Sequence, residues 1–261
     1  QRQMCIRDRL KGTEKRDKYK VYGELINTYG YNLEPGSKEL TALNYYTNEE
    51  ITIPLDPTQT PGENAQRYFA KYNKQKRTFE ALTELIQETA DDIQYLESIS
   101  NALDIALSEA DLAQIKEELM QSGYIRRKHT KKKVKLTSKP MHYISSDGYD
   151  MYVGKNNLQN EELTFSFANG NDWWFHAKGA PGSHVIVKSG GDELPDRTFE
   201  EAGRLAAYYS KNRGADKVEI DYIQKKHVKK PNGAKPGFVV YYTNYSLVID
   251  SDISNIKNVQ D

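Results

Sequence analysis

The sequence predicts an α+β chain: an antiparallel coiled-coil arm with a small inserted β-hairpin module, followed by a mixed α+β domain. Three observations point there. A heptad seam of mostly apolar residues runs from Phe79 to Leu107. Two β-rich runs separated by turn residues lie ahead of it, between Leu40 and Ile53. Beyond Lys139 the pattern changes to short strands, turn pairs and one amphipathic helix. At 261 residues the chain suits one to two domains. The expected parts are a tail over 1–9, the arm over 10–123 with its β module at about 31–61, a basic linker over 124–139, and the α+β domain over 140–261.

The tail, QRQMCIRDR, has no apolar period and resembles translated sequencing-adapter sequence, the alternative being an ordinary exposed terminus. Either reading keeps it, and the lone Cys5, out of the fold. Val21, Tyr22, Leu25, Ile26 and Tyr29 then form a helical stripe, with Gly30 as its stop. Pro35-Gly36 is a turn. Leu40–Tyr46 and Ile51–Ile53 are strands around Thr47-Asn48-Glu49. Pro54, Pro57 and Pro61 forbid regular structure until about Gly62. The long helix follows, its seam formed by Phe79, Leu82, Ile86, Thr89, Ile93, Leu96, Ser100, Leu103 and Leu107. The partner expected for that seam is the first helix, folded back and continued upstream. Periodicity alone equally allows a long helix in an ordinary bundle. Ser108 with Asp111 caps a second helix, Glu109–Ser122, which Gly123 ends.

In the second half, His142–Ile144 and Tyr149–Val153 flank Ser146-Asp147-Gly148 as a hairpin. Asn160 is placed as the cap of a short helix through Phe167. Trp173–His176 and His184–Lys188 are strands around Pro181-Gly182. Thr198-Phe199-Glu200-Glu201 reads as a capping box for a helix lined by Ala202, Leu205, Ala206 and Tyr209. Val218–Ile223, Phe238–Tyr242 and Leu247–Asp250 close the domain as strands.

Lys plus Arg and Asp plus Glu both total 37, but the charges are segregated. Glu80 to Glu118 holds eleven acidic residues and one basic, whereas Arg126 to Lys139 holds eight basic and none acidic. Partners respond to such local fields rather than to the net charge. One cysteine allows no intrachain disulfide, which fits a reducing cytoplasm. No stretch approaches the roughly 20 apolar residues of a membrane helix, so no membrane partner is expected.

Three segments carry candidate chemistry. Arg126, Arg127, Lys128, Lys131, Lys132, Lys133 and Lys135 repel one another in a free chain, and a polyphosphate partner would offset that repulsion while releasing its own counterions. The alternative is a solvated linker held to the acidic helix beside it. Lys225, Lys226, His227, Lys229, Lys230 and Lys235 sit among Pro231, Gly233, Pro236 and Gly237. That composition makes either a phosphate-binding loop or a polar hairpin loop. Asp172-Trp173-Trp174-Phe175-His176 comes next, closed by Lys178 and followed by His184. Strand alternation puts Asp172, Trp174 and His176 on one face and Trp173 and Phe175 on the other. A carboxylate is rarely buried without a partner, so the first face is read as the outer one. Trp174 then stacks on a base and Trp173 packs in the core, simple core packing of both indoles being the alternative.

The competing enzyme reading would have His176, His184 and Asp172 hold a metal, with His227 joining from a distant loop. Their spacing matches no HExxH-type signature, and phosphate loops of the GxxxxGK[ST] or GxGxxG kind are missing. No catalytic residue, metal or cofactor is expected.

The order of these blocks is similar to that of a known family. Asp172 through Lys178, with Pro181-Gly182-Ser183-His184-Val185, resembles the signature of the NFACT-R RNA-binding domain. Ala206 to Lys211, and His227 to Pro231 continuing to Gly237, resemble its later blocks. Upstream, Ile53 to Pro57, Glu63 to Phe69 and Tyr72-Asn73-Lys74 resemble the middle and coiled-coil segments of the RqcH-type branch of the NFACT family. The resemblance covers about Lys11 to Asp250. It implies a cytoplasmic ribosome quality control factor, often named fibronectin-binding protein. Such a factor binds obstructed large ribosomal subunits through rRNA and recruits tRNA, so that stalled nascent chains gain an alanine tail. Full-length members carry an NFACT-N domain, which holds the tRNA-selecting Asp-Arg pair, and a helix-hairpin-helix domain ahead of this region. A surface adhesin is the alternative implied by the fibronectin name.

Overall fold

The computed structural model describes residues 10–126 and 138–259, which form two compact units with the division between Asp92 and Ile93. The architecture is mixed α+β, with a long helix, a two-stranded hairpin and a seven-stranded antiparallel sheet.

The first unit contains helix α1 (Asp17–Tyr29), hairpin strands β1 (Glu39–Asn44) and β2 (Glu49–Pro54), and the start of helix α2 (Pro61–Ile105). Alternation along β1 sends Leu40 and Ala42 inward, where they meet Leu25 and Ile26 of α1, Ile53 of β2, and Ala65 and Tyr68 of α2. The β turn uses Asn48 at φ 57°, a left-handed position that asparagine tolerates. Proline opens α2, and Thr60 and Glu63 cap it reciprocally: the Thr60 amide donates to Glu63 at 2.7 Å and the Glu63 amide to Thr60 Oγ1 at 3.3 Å. Gly30 ends α1 with φ −66°, so the expected left-handed stop is replaced by a 3-10 turn over Gly30–Asn32.

The division between the units falls inside α2. From Ile93 onward this helix belongs to the second unit, and its seam changes position. Ile93, Leu96, Leu103 and Leu107 are exposed, while Tyr95, Ile99 and Ala102 are buried against Ile115 of helix α3 (Glu109–Gln121). The heptad pattern therefore does not mark the buried face there, because α3 folds back onto a neighbouring face. Ser108 and Asp111 form the expected capping box.

The sheet of the second unit runs β8-β7-β5-β6-β4-β3-β9. Its strands are β3 (Met141–Ile144), β4 (Asp150–Val153), β5 (Trp173–Ala177), β6 (Val185–Val187), β7 (Val218–Gln224), β8 (Tyr245–Ile249) and β9 (Lys257–Asn258). Helix α5 (Asp196–Tyr208) covers one face, its Ala202, Leu205 and Ala206 packing with Phe175, Val185, Val187 and Ile220. The opposite face holds Trp174, Ile186 and Ile223, covered by Leu163, Ala168, Val228 and Tyr241. With both faces covered, Val185, Ile186 and Val187 are all buried.

Three local expectations are corrected. The short helix α4 (Asn157–Glu162) is capped by Asn156, not Asn160, and continues as a π turn over Leu163–Phe167. Helix α5 starts at Asp196 without a side-chain cap, because Thr198 and Glu201 bond instead to the β3–β4 turn, at Asp147 and Ser146. The segment Phe238–Tyr242 is not a strand: only Val240 bridges, to Lys229, and the segment lies across the sheet as cover. Strand β9 had no sequence signal.

Candidate nucleic-acid interface

Of the first basic run, Arg126 is exposed, while Arg127, Lys128, Lys131, Lys132, Lys133 and Lys135 lie outside the described residues. The other two segments come together around the start of β5 and the end of β7.

Asp172, Trp174 and His176 do share a face, but that face is closed. Trp174 is fully buried, with its ring 5.1 Å from both His184 and Tyr241 and 5.6 Å from His176. The stacking role expected for Trp174 therefore does not hold, since α4, the π turn and the 228–241 segment cover this side. Asp172 is buried too, held by the amides of Asn169 and Ser189 at 2.7 and 3.2 Å and by Lys188 Nζ at 2.5 Å. Its carboxylate fixes the turn into β5 and the end of β6 rather than facing a ligand.

His184 is buried, its Nδ1 within 2.8 Å of Thr164 Oγ1 and 3.2 Å of the Asn160 carbonyl. Desolvation, reinforced by the neighbouring His176, holds it well below the ordinary imidazole pKa. Desolvation likewise takes His176 down to about 4, against the opposing pull of the Gly182 backbone and Asp221. Both rings are thus neutral near pH 7 and add no positive charge to an interface. Lys178 lies at the far end of β5, where Glu219 binds it at 2.5 Å.

The second basic segment follows β7 as a 3-10 turn over Lys225–His227 and then a loop. Two of its lysines are engaged: Lys230 pairs with Glu161 at 2.7 Å, and Lys235 donates to Tyr124 at 2.9 Å with its ammonium 4.5 Å from the Tyr95 ring. Lys225 lies 5.9 Å from the Phe165 ring. Lys226, His227 and Lys229 are exposed, and among the described residues no acidic side chain pairs with them.

Beside that loop a cleft of about 480 Å³ opens at the end of the sheet, lined by Trp173, Ile223, Gln224, His227, Thr243, Asn244 and Tyr245. Trp173, expected in the core, is the partly exposed indole. It packs edge-on against Phe199 at 4.8 Å, and Tyr245, 62% exposed, lies 6.5 Å away. Sequence reasoning missed Gln224, Thr243, Asn244 and Tyr245. Their only signal was a polar–aromatic triplet, Thr243-Asn244-Tyr245, just ahead of a strand.

It also missed a buried amide cluster where α4 packs on α3. Asn157 donates to the Glu118 carboxylate and to Ser98, at 2.8 and 2.7 Å. Gln159 donates to Gln114 and Ser138, at 2.7 and 2.8 Å. Asn160 accepts from the His184 amide at 2.9 Å. Asp111 accepts from Ser138, the Leu107 and Ser108 amides and Lys155. Burial alone would raise its pKa, but these donors outweigh burial and bring it to about 2. Gln and Asn have no strong periodic signature, so such a network is not legible from spacing.

Among the described residues no three His, Cys, Asp or Glu side chains gather to hold a metal, and no helix is long and apolar enough to cross a membrane. The arrangement offers an aromatic face, amides and loose cations.

Residues 2–138 match the family model for NFACT N-terminal and middle domains, and residues 139–242 that for the NFACT protein RNA binding domain. The first match includes most of the tail set aside above. The chain is 42% identical over 252 residues to Rqc2 homolog RqcH of Streptococcus pneumoniae, covering 96% of this chain and 45% of the relative. It is 40% identical over 254 residues to Rqc2 homolog RqcH of Bacillus subtilis, covering 95% and 44%. The chain thus spans a little under half the length of these relatives. A solved structure of the C-terminal part of the fibronectin/fibrinogen-binding protein from Streptococcus suis superposes with TM-score 0.70 at 36% identity, covering 98% of this chain and 93% of that one.

Proposed function

The chain belongs to the NFACT family, and from that premise we propose that it is the RNA-binding portion of a ribosome quality control factor. In this reading it engages obstructed large ribosomal subunits and tRNA in the cytoplasm, through rRNA and tRNA phosphates. The chain supplies binding rather than chemistry: His184 and Asp172 are buried and bonded within the packed core.

The observation that carries the reading is the exposed trio Lys226, His227 and Lys229 on the loop beside the partly exposed Trp173, within the segment matching the RNA-binding domain. The loose lysines hold phosphates without reading sequence, and an aromatic face adds stacking. The test is crosslinking in cells followed by sequencing of the bound RNA. Enrichment of large-subunit rRNA and tRNA is the expected result. No enrichment over a non-binding control would overturn the reading. The name of the Streptococcus suis structure supports a second one, adhesion to fibronectin, which saturable fibronectin binding without RNA recovery would favour.

A further inference from the structure

Resting on the RNA-binding reading, we propose that the cleft at Trp173 receives a single unstacked base of single-stranded RNA, while the adjoining loop holds the flanking phosphates. Its volume, about 480 Å³, lies in the range of sites that enclose one small ligand. One wall is aromatic: the partly exposed indole of Trp173 and the exposed ring of Tyr245. Bases stack on such faces whatever their identity.

The remaining walls carry hydrogen-bonding groups left unused inside the protein. Among the described residues no side chain or backbone group bonds the Gln224 amide, the Thr243 hydroxyl or the His227 imidazole. Asn244 donates its amide protons to the Tyr245 carbonyl and Ser246 Oγ, both at 3.2 Å, which fixes the group while its oxygen stays available. A carboxamide offers a donor and an acceptor side by side, the pattern of a base's exposed edge. Lys226 and Lys229 flank the lining residue His227 in the chain, so two exposed cations lie on the loop next to the cleft, whose own walls are aromatic and amide. That division suits a nucleotide: charge for the phosphate, amides and an aromatic face for the base. A duplex would not fit the same arrangement, because its bases are already stacked and paired.

The experiment compares the affinity of the whole chain for a single-stranded RNA 12-mer with its affinity for an abasic ribose-phosphate 12-mer of equal charge, at one salt concentration. The expected ratio is roughly 5- to 150-fold in favour of the base-bearing strand, the range that one stacked base supplies. Gln224→Ala, Asn244→Ala and Trp173→Ala should lower that ratio while leaving abasic binding unchanged. Should Trp173→Ala fail to fold, as judged by circular dichroism, the two amide variants carry the test. Equal affinity for the two strands, or a ratio unmoved by the amide variants, overturns the base site and leaves RNA binding through phosphates standing. Binding of neither strand overturns both.

Discussion

Trp174 and His184 meet at nearly a right angle, ring centroids 5.1 Å apart and planes at 79°, in a core that Tyr241 closes at 5.1 Å from the indole. Trp174 belongs to β5 and His184 immediately precedes β6, so the pair locks the centre of the sheet. Trp174→Ala should therefore cost roughly 3–5 kcal/mol, as expected for emptying a core site of that size. Trp174→Phe should cost less, since it keeps an aromatic ring and removes an indole N–H that has no partner among the described residues. Urea denaturation of both variants checks the order, and a mild effect for alanine would mean the site is not core.

Acid should destabilise the second unit through its histidines. The folded pKa of His176, about 4, and the depressed one of His184 lie below the ordinary value near 6.5. Between those limits the unfolded chain binds protons that the folded one refuses, so stability falls as pH drops below about 6.5, by up to about 1.4 kcal/mol per pH unit for each histidine. Burial raises the pKa of Glu118, and that group acts in the opposite sense as it takes up its proton. His184→Gln isolates the histidine term: the difference in stability between wild type and variant should shrink as pH falls from 7 to 5. A constant difference across that range would show that His184 does not titrate on unfolding.

Asn157→Ala should destabilise the packing of α4 on α3. It removes a 2.8 Å donor from a carboxylate with no solvent exposure, whose second oxygen already lacks a partner among the described residues. A loss of roughly 1–3 kcal/mol is expected for an unsatisfied buried group. In the double variant with Glu118→Gln the loss should be smaller than the sum of the two single losses, because the charge that needed the donor is gone. Strict additivity in a double-mutant cycle would show that the two side chains do not interact.

Salt dependence should separate the loose lysines of the second basic segment from its engaged one. Replacing Lys226 and Lys229 by Gln should leave the melting temperature unchanged, since neither side chain has a bonded partner among the described residues. The same change should lower the slope of log K against log salt by about 0.7 for each phosphate that is no longer neutralised. Replacing Lys131, Lys132 and Lys133 by Gln should do the same if that run also touches phosphate. Lys230→Gln should instead act on the fold, through its ion pair with Glu161, by at most about 1 kcal/mol. An unchanged salt slope in the first variant would remove Lys226 and Lys229 from the interface.

Much of the local structure was legible in the sequence. Ser108 and Asp111 announced the start of α3, since a side-chain oxygen three residues from an acidic partner is a local device needing nothing distant. The signal failed at Thr198 and Glu201, which have the same spacing, because the β3–β4 turn lies close enough to take their bonds. The candidate site was legible only in part. Its basic loop showed in composition, whereas Gln224 and Asn244 became neighbours through the pairing of β7 with β8.

By itself the sequence determined that Trp173 and Trp174 point to opposite faces, because successive residues of any strand do so. It also determined that the cations of the 225–235 segment sit on a loop, because its glycines and prolines prevent regular pairing. Only the tertiary structure decided which indole meets solvent. Alternation names two faces but not their cover, and the cover comes from distant segments: α5 over one side, and the π turn with residues 228–241 over the other. The second cover closes over Trp174 completely, while the first leaves Trp173 open at the edge where β5 begins. Burial is a property of everything that packs against a residue, and a local pattern records only the residue's own orientation.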